Sequence, residues 1–211
     1  MKIAEALECW LAGGDGGGSR VGQILIRREA ARFRLLHHED AGRADLDVSR
    51  VPEMAREIAR YDDEGKYRPL KSAPNLKHGW ELDLEGIGQL RAALDFLYPA
   101  ATGAWLWHRE GRLVPVDFRR TAGRQSGMYE IVKGISNFQA DTLAGEFCNS
   151  GKCLKIILWK LDADTPITAL PAEKFEVPTG ERQALPLLCP EACNLFVAAA
   201  RNVVRRSRGR P

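Results

Sequence analysis

At 211 residues, with 45% apolar and 28% charged side chains, the chain has the composition of an ordinary folded protein, long enough for one sizeable domain or two small ones. The longest apolar stretches are short and broken by charged residues, which excludes a membrane-spanning helix on length. A net charge of +3 is mild, and much of it sits in the arginine-rich end VVRRSRGRP, which reads as the solvated end of a helix and not as a nucleic-acid-binding segment, since it lacks aromatic interleaving or a binding motif.

At the amino terminus, Glu5 and Glu8 interrupt the apolar pattern in a way a secretory signal tolerates poorly, so a cytoplasmic location is expected. Residues 3–11, IAEALECWL, repeat apolar positions at helical spacing, and the GGDGGG that follows is a stop and turn. A phosphate-binding loop would need a strand before those glycines and a helix after them; here the order is reversed. VGQILI and ARFRLLH read as two antiparallel strands joined by a polar link containing Arg28 and Glu29. VPEMAREIARY reads as a helix with Ser49 as its cap and Pro52 in its first turn. DDEGKYRPLKSAPNLKHGW has no periodicity and is expected to be a long loop.

The pattern from Leu84 to Leu97 predicts a helix, and WLWHREGRLVPVDF a hairpin turning at Glu110-Gly111. FQADTLAGEF and ACNLFVAAARNVVRR predict two further helices. Strands and helices alternate without a serial βαβ rhythm. The expected class is therefore α+β, with mixed antiparallel strands and helices in two small subdomains, residues 1–85 and 86–211, the second built around a metal cluster.

Of five cysteines, four form two close pairs, Cys148 and Cys153 in EFCNSGKCLK, and Cys189 and Cys193 in LLCPEACNL. Grouped thiols in a reducing compartment call for metal, catalysis or packing before disulfides. Cys9 stands alone in an apolar helical pattern and reads as a small core residue. Zinc knuckles favour two intervening residues, so the wider spacings here favour a [4Fe–4S] cluster, with structural zinc as the alternative and a metal-free site as the third option. Cys189-Pro190 is a recurring feature of cluster loops, and the small residues Ser150, Gly151 and Ala192 leave room for amides to approach sulfide. Neither pair has the two-residue spacing of a redox dithiol.

Together YRPLKSAPNLKHGW, ALDFLYPAA, RQSGMY, GKCLKIILW and CPEACNLFVAAAR resemble the carboxy-terminal region of long-form sirohydrochlorin cobaltochelatase-like proteins. The resemblance spans most of the chain and implies a stabilising domain followed by a [4Fe–4S]-binding domain with Cys148, Cys153, Cys189 and Cys193 as ligands. The family's chelatase domain, with its metal-inserting histidines, would precede this region, so chelatase activity is not carried over.

The basic residues Arg119, Arg120, Arg124 and Lys133 form a candidate anion site, and the resemblance suggests a carboxylate-bearing tetrapyrrole as its ligand. A solvated loop is the simpler account. Tyr129 could line such a site, Trp105, Trp107 and Trp159 could form a dry shell around a cluster, and packing explains all four equally well. Glu146 reads as a surface residue. Adjacent His37 and His38 are expected to point to opposite faces of a strand, as surface or edge residues and not as shared metal ligands. Two functions fit these readings: a redox or accessory protein of tetrapyrrole metabolism, with a redox partner protein or a tetrapyrrole as its ligand, or a structural metal-binding interaction module.

Overall fold

The computed structural model describes residues 2–13, 18–149, 151–169 and 184–209. They form two compact units. The first takes in the chain up to Arg112 together with a short strand at Ala184–Leu185; the second runs from Leu113 and includes the chain from Leu188 onward. The division expected at 85/86 falls between a strand and a helix of the first unit, and the two units part at Arg112.

The first unit is built on a six-stranded sheet in the order β4-β5-β3-β2-β1-β7. Its strands are β1 (Ser19–Val21), β2 (Ile24–Glu29), β3 (Arg32–His37), β4 (Asp47–Ser49), β5 (Trp80–Glu85) and β7 (Ala184–Leu185). The centre is antiparallel, while β4 and β7 join the two edges in parallel. Alternation sets the faces: Phe33, Leu35, Leu82 and Leu84 are buried. Between them, Arg32 grips Asp83 with two bonds of 2.8 and 2.7 Å, and Arg34 grips Glu81 likewise. Both forks run diagonally, each arginine reaching the residue two places from its direct partner on β5, and they neutralise charge between neighbouring strands and help fix the register.

VGQILI is not one strand. Gly22, at φ +57°, turns the chain between β1 and β2. Arg28 and Glu29, expected in a link, end β2, and the link is Ala30-Ala31, with Ala30 at φ +54°. A Cβ on Gly22 would lie 2.7 Å from Cζ of Tyr98, whose hydroxyl accepts the Gln23 N–H at 2.9 Å. Left-handed backbone and a collision with a buried ring add, so Gly22→Ala should cost about 3 kcal/mol and lower the unfolding midpoint. An unchanged midpoint in thermal denaturation would mean that Tyr98 moves aside freely.

Helices cover the sheet. They are α1 (Ile3–Ala12), α2 (Met54–Arg60), α3 (Gly86–Leu97) and α4 (Ala101–Arg109). α1 buries Ala6, Leu7, Trp10 and Leu11, and Trp10 meets Trp105 of α4 edge-on at 6.0 Å. Cys9 lies on the opposite side of α1 and is exposed, so it is not a core residue. α2 begins at Met54 without a side-chain cap, while Ser49 ends β4 and accepts the Val51 N–H. α3 starts two residues later than expected, because Leu84 and Glu85 complete β5. The expected hairpin at 105–118 is instead α4, followed by extended chain: Trp105 and Leu106 are buried side by side on a helical face, and Gly111 at φ +64° follows the helix end. Gly14 to Gly17 of the glycine-rich turn lie outside the described residues.

The second unit contains α5 (Phe118–Gly123), a 3₁₀ segment (Gly127–Gly134), α6 (Asn137–Ala144), β6 (Ile156–Ile157), β8 (Leu188–Cys189) and α7 (Asn194–Ser207). Its core gathers Phe118, Ile157, Trp159, Leu161, Val197 and Val204 around Phe196. The fold is α+β, as expected. No described helix is long and apolar enough to cross a membrane.

Candidate metal centre

The four paired cysteines all belong to the second unit, on four different pieces of backbone. Cys148 is carried by a π-helical turn, Gly145–Asn149, that continues α6 and buries the thiol. α6 itself is fixed by a capping box in which Ser136 accepts the Gln139 N–H and Gln139 returns a bond to the Ser136 N–H. Such wide turns re-aim a side chain that a regular helix would direct elsewhere, and they recur at functional sites. Cys153 follows the turn at Gly151, which has φ +77°, and its Sγ receives the Lys155 N–H at 3.5 Å.

β6 and β8 join the two cysteine loops. They pair in parallel, Ile156 with Leu188 and Ile157 with Cys189, so the chain leaving Cys153 runs beside the chain entering Cys189. A further bond from Leu158 N–H to the Cys189 carbonyl, 2.9 Å, extends the pairing. After Cys189 the Pro190 carbonyl is held by Val116 N–H at 2.9 Å, Ala192 is buried, and Cys193 becomes the N-cap of α7. Its Sγ accepts the Phe196 N–H at 3.5 Å. A helix amino terminus favours negative charge, so this position suits a thiolate ligand.

The surroundings are apolar. Cys148, Cys189 and Cys193 pack in the same cluster of buried residues, and Phe196 is met by Phe118 at 5.2 Å, Trp159 at 5.1 Å and Phe147 at 6.4 Å. Burial pushes the Cys189 thiol up to about 11, helped by the neighbouring Cys193 and Cys153 sulfurs and opposed by Lys155 and the Trp159 indole N–H. Unaided, burial disfavours the Cys189 thiolate; a bound cation reverses that balance. Trp159 Nε1 is buried with no hydrogen-bond partner among the described residues, yet lies near enough to Cys189 to favour its thiolate. A donor left waiting beside a sulfur fits a site whose ligands carry negative charge.

Spacing separates the candidate metals. Thiolates on one tetrahedral zinc, each at about 2.3 Å from the ion, lie about 3.8 Å apart. Among the described residues no three of these cysteines come together as a single-ion group. The arrangement is wider than a single ion requires and suits a cluster that spreads its ligands over several metal atoms.

The remaining sequence candidates go to separate tasks. Arg119 binds the Ile135 carbonyl at 2.6 Å and Asn137 Oδ1 with two nitrogens, tying α5 to the start of α6. Arg124 pairs with Glu191, in the loop between Cys189 and Cys193, and Glu191 also accepts from Thr121. Arg120 is exposed, and Lys133 pairs with Glu130 at 3.2 Å. Tyr129 lies beneath the Arg201 guanidinium at 5.0 Å. Of the three tryptophans, Trp159 alone belongs to the core of this unit; Trp105 packs in the first unit and Trp107 is largely exposed. Glu146 is exposed, and Ser150 lies outside the described residues.

Residues 4–110 match the model of the DR2241 stabilising domain. The chain belongs to this family. Residues 110–202 match a 4Fe-4S iron-sulfur cluster binding domain, so the second unit is a [4Fe–4S]-binding domain following the stabilising one. The chain is also similar, at 32% identity and a TM-score of 0.76, to the crystal structure of DR2241 from Deinococcus radiodurans, described as a multi-domain protein with structural similarity to chelatases and two additional novel domains. That match covers 96% of this chain and 41% of the other. No curated protein matches.

Proposed function

We propose that Cys148, Cys153, Cys189 and Cys193 hold the [4Fe–4S] cluster of the second unit, and that the protein is a cytoplasmic one-electron or accessory component of tetrapyrrole metabolism. The observation that carries the ligand assignment is the β6–β8 pairing, which brings both cysteine loops of one unit together beside the unpartnered Trp159 N–H. When bound, the cluster supplies one-electron chemistry whose potential follows from hydrogen bonds to sulfur, burial and solvent access. The chain contributes the thiolates, the Lys155 and Phe196 amides donating to Cys153 and Cys193, and the aromatic wall around Phe196. Cys189 and Cys193 keep partial exposure, which gives an electron a short path to the surface. The tetrapyrrole assignment is supported by the likeness to a protein with structural similarity to chelatases.

The test combines iron, sulfide and zinc analysis of anaerobically purified protein with a redox titration. About four irons and four sulfides per chain, bleaching reversibly at a potential that cellular donors reach, is the expected result. Trp159→Phe should keep the iron and shift the potential to a more negative value, because a donor that favours the extra negative charge is lost. A cluster that cannot be reduced at accessible potentials would favour the structural module, a reading supported by the packing of Cys148 in the core of the unit and of Cys189 and Cys193 against it. One zinc per chain and no iron would sink the redox assignment.

A further inference from the structure

The first unit contains a second group of metal-ligating side chains, separate from the cysteines. His37, at the end of β3, is fully buried, and its ring lies 3.9 Å from that of His78 and 4.8 Å from that of His38, centroid to centroid. The two adjacent histidines stack because the chain leaves the strand at His37 and enters a 3₁₀ turn, His38–Asp40, which cancels the alternation that would have separated them. His37 is thus no surface residue. Ligand atoms of His37, Glu39 and His78 all lie within 4.8 Å of one another, the one such group of three or more among the described residues.

We propose that His37, Glu39 and His78 form a binding site for a divalent first-row transition-metal ion of the zinc class. Two imidazoles and a carboxylate are the donor set that borderline-soft divalent ions select. Ligand atoms at about 2.1 Å from an ion lie about 3 to 3.5 Å apart, so closure needs only a short movement, which the largely exposed Glu39 side chain is free to make.

His78 is prepared for this role. His78 presents Nδ1 to the buried carboxylate of Asp40 at 3.6 Å, while its Nε2 faces Glu39 at 3.6 Å and Asp63 at 3.7 Å. A carboxylate behind a histidine whose other nitrogen faces the ion is the usual supporting arrangement of a metal-bound imidazole. Asp40 is itself held by the Gly79 N–H at 2.7 Å and by Arg43 at 2.9 Å.

Both ring nitrogens of His37 have a protein neighbour. The Glu39 N–H points at Nδ1, 3.2 Å away. The Gln23 amide nitrogen lies 3.0 Å from Nε2, its orientation set by bonds to the Pro74 carbonyl and from the Leu76 N–H. An ion at His37 takes the place of the longer of these two contacts, the Glu39 N–H at Nδ1. The ion would tie the end of β3 to the loop entering β5, two segments about forty residues apart in sequence and held here by hydrogen bonds and ion pairs.

The experiment uses the full chain with its cluster loaded, equilibrated anaerobically with Zn²⁺, zinc and iron being measured on the same sample. One zinc per chain with iron unchanged is expected. His78→Ala and Glu39→Gln, both at partly exposed positions, should each weaken Zn²⁺ binding at least about tenfold, while His108→Ala, at the exposed end of α4, should leave it unchanged. Circular dichroism of each variant separates lost binding from lost folding. Zinc that enters only as iron leaves, or that binds the folded His78 and Glu39 variants as tightly as the parent, would overturn the proposal.

Discussion

Cys148→Ser and Cys193→Ser are each expected to strip the cluster and to destabilise the second unit more than an ordinary core truncation, which costs about 2 to 5 kcal/mol. Both sulfurs sit where the unit's own structure ends or begins: Cys148 closes the π-helical turn after α6, and Cys193 caps α7. The Phe196 amide donates to the Cys193 sulfur, and Cys148 is buried in the core of the unit, so each change disturbs a site that the bound cluster holds together. Metal binding and folding are then one free energy. Iron and sulfide analysis should fall together with the visible absorption, and the fluorescence of Trp159 should report an earlier unfolding transition. Cys9→Ser is the control, since that thiol is exposed on α1 of the other unit. Full iron retention in both variants would remove these two cysteines from the ligand set.

The cysteine pairs could be read from the chain because each pair lies within a few residues, and local spacing is what a sequence displays best. The same holds for α1, α6 and α7, whose apolar positions recur at helical intervals. Segment 105–118 misled because Trp105 and Trp107, then Val114 and Val116, mimic strand alternation and Glu110-Gly111 mimics a hairpin turn; burial of Ala101 and Thr102 together with Trp105 and Leu106 decides for a helix, and that burial depends on distant partners. VGQILI concealed a turn for the opposite reason. Val21, Ile24 and Ile26 are all buried, so the apolar run continues straight through Gly22.

Long-range partners account for the other differences. Arg119 and Arg124 looked like a shared anion site because they are neighbours in sequence, but their partners, Asn137 and Glu191, come from elsewhere in the chain. His37 and His78 are about forty residues apart, and nothing in their local patterns pairs them. The loop that delivers His78 lacks periodicity yet is closely organised, with Arg68, Ser72 and Leu76 buried inside it. A segment can be irregular and still be tightly specified when a buried polar group replaces repeating backbone bonds.

Arg68 is that group, and Arg68→Ala should destabilise the first unit by about 3 to 5 kcal/mol. The side chain is 2% exposed. Its guanidinium donates to Asn75 Oδ1 at 3.0 Å and to the carbonyls of Ala59, Lys71 and Ala73 at 3.2, 3.3 and 2.7 Å, joining the end of α2 to both arms of the loop. Lys71 Nζ also reaches the Ala59 carbonyl at 3.0 Å, so that acceptor keeps one donor after truncation, whereas the Ala73 carbonyl loses a close, charge-assisted bond. Burial lowers the Arg68 pKa, yet arginine's high intrinsic basicity keeps the group charged, and lysine in the same place would lack the planar fork that serves several acceptors at once. Arg68→Lys should therefore recover less than half of the loss. The readout is chemical denaturation of the parent and both variants with hydrogen exchange at Gly79 and Leu76, whose amides bond Asp40 and Gln23 from the far end of this loop. Faster exchange there in the folded variant is expected if Arg68 anchors the loop; unchanged stability and protection would show that the carbonyls are satisfied without it.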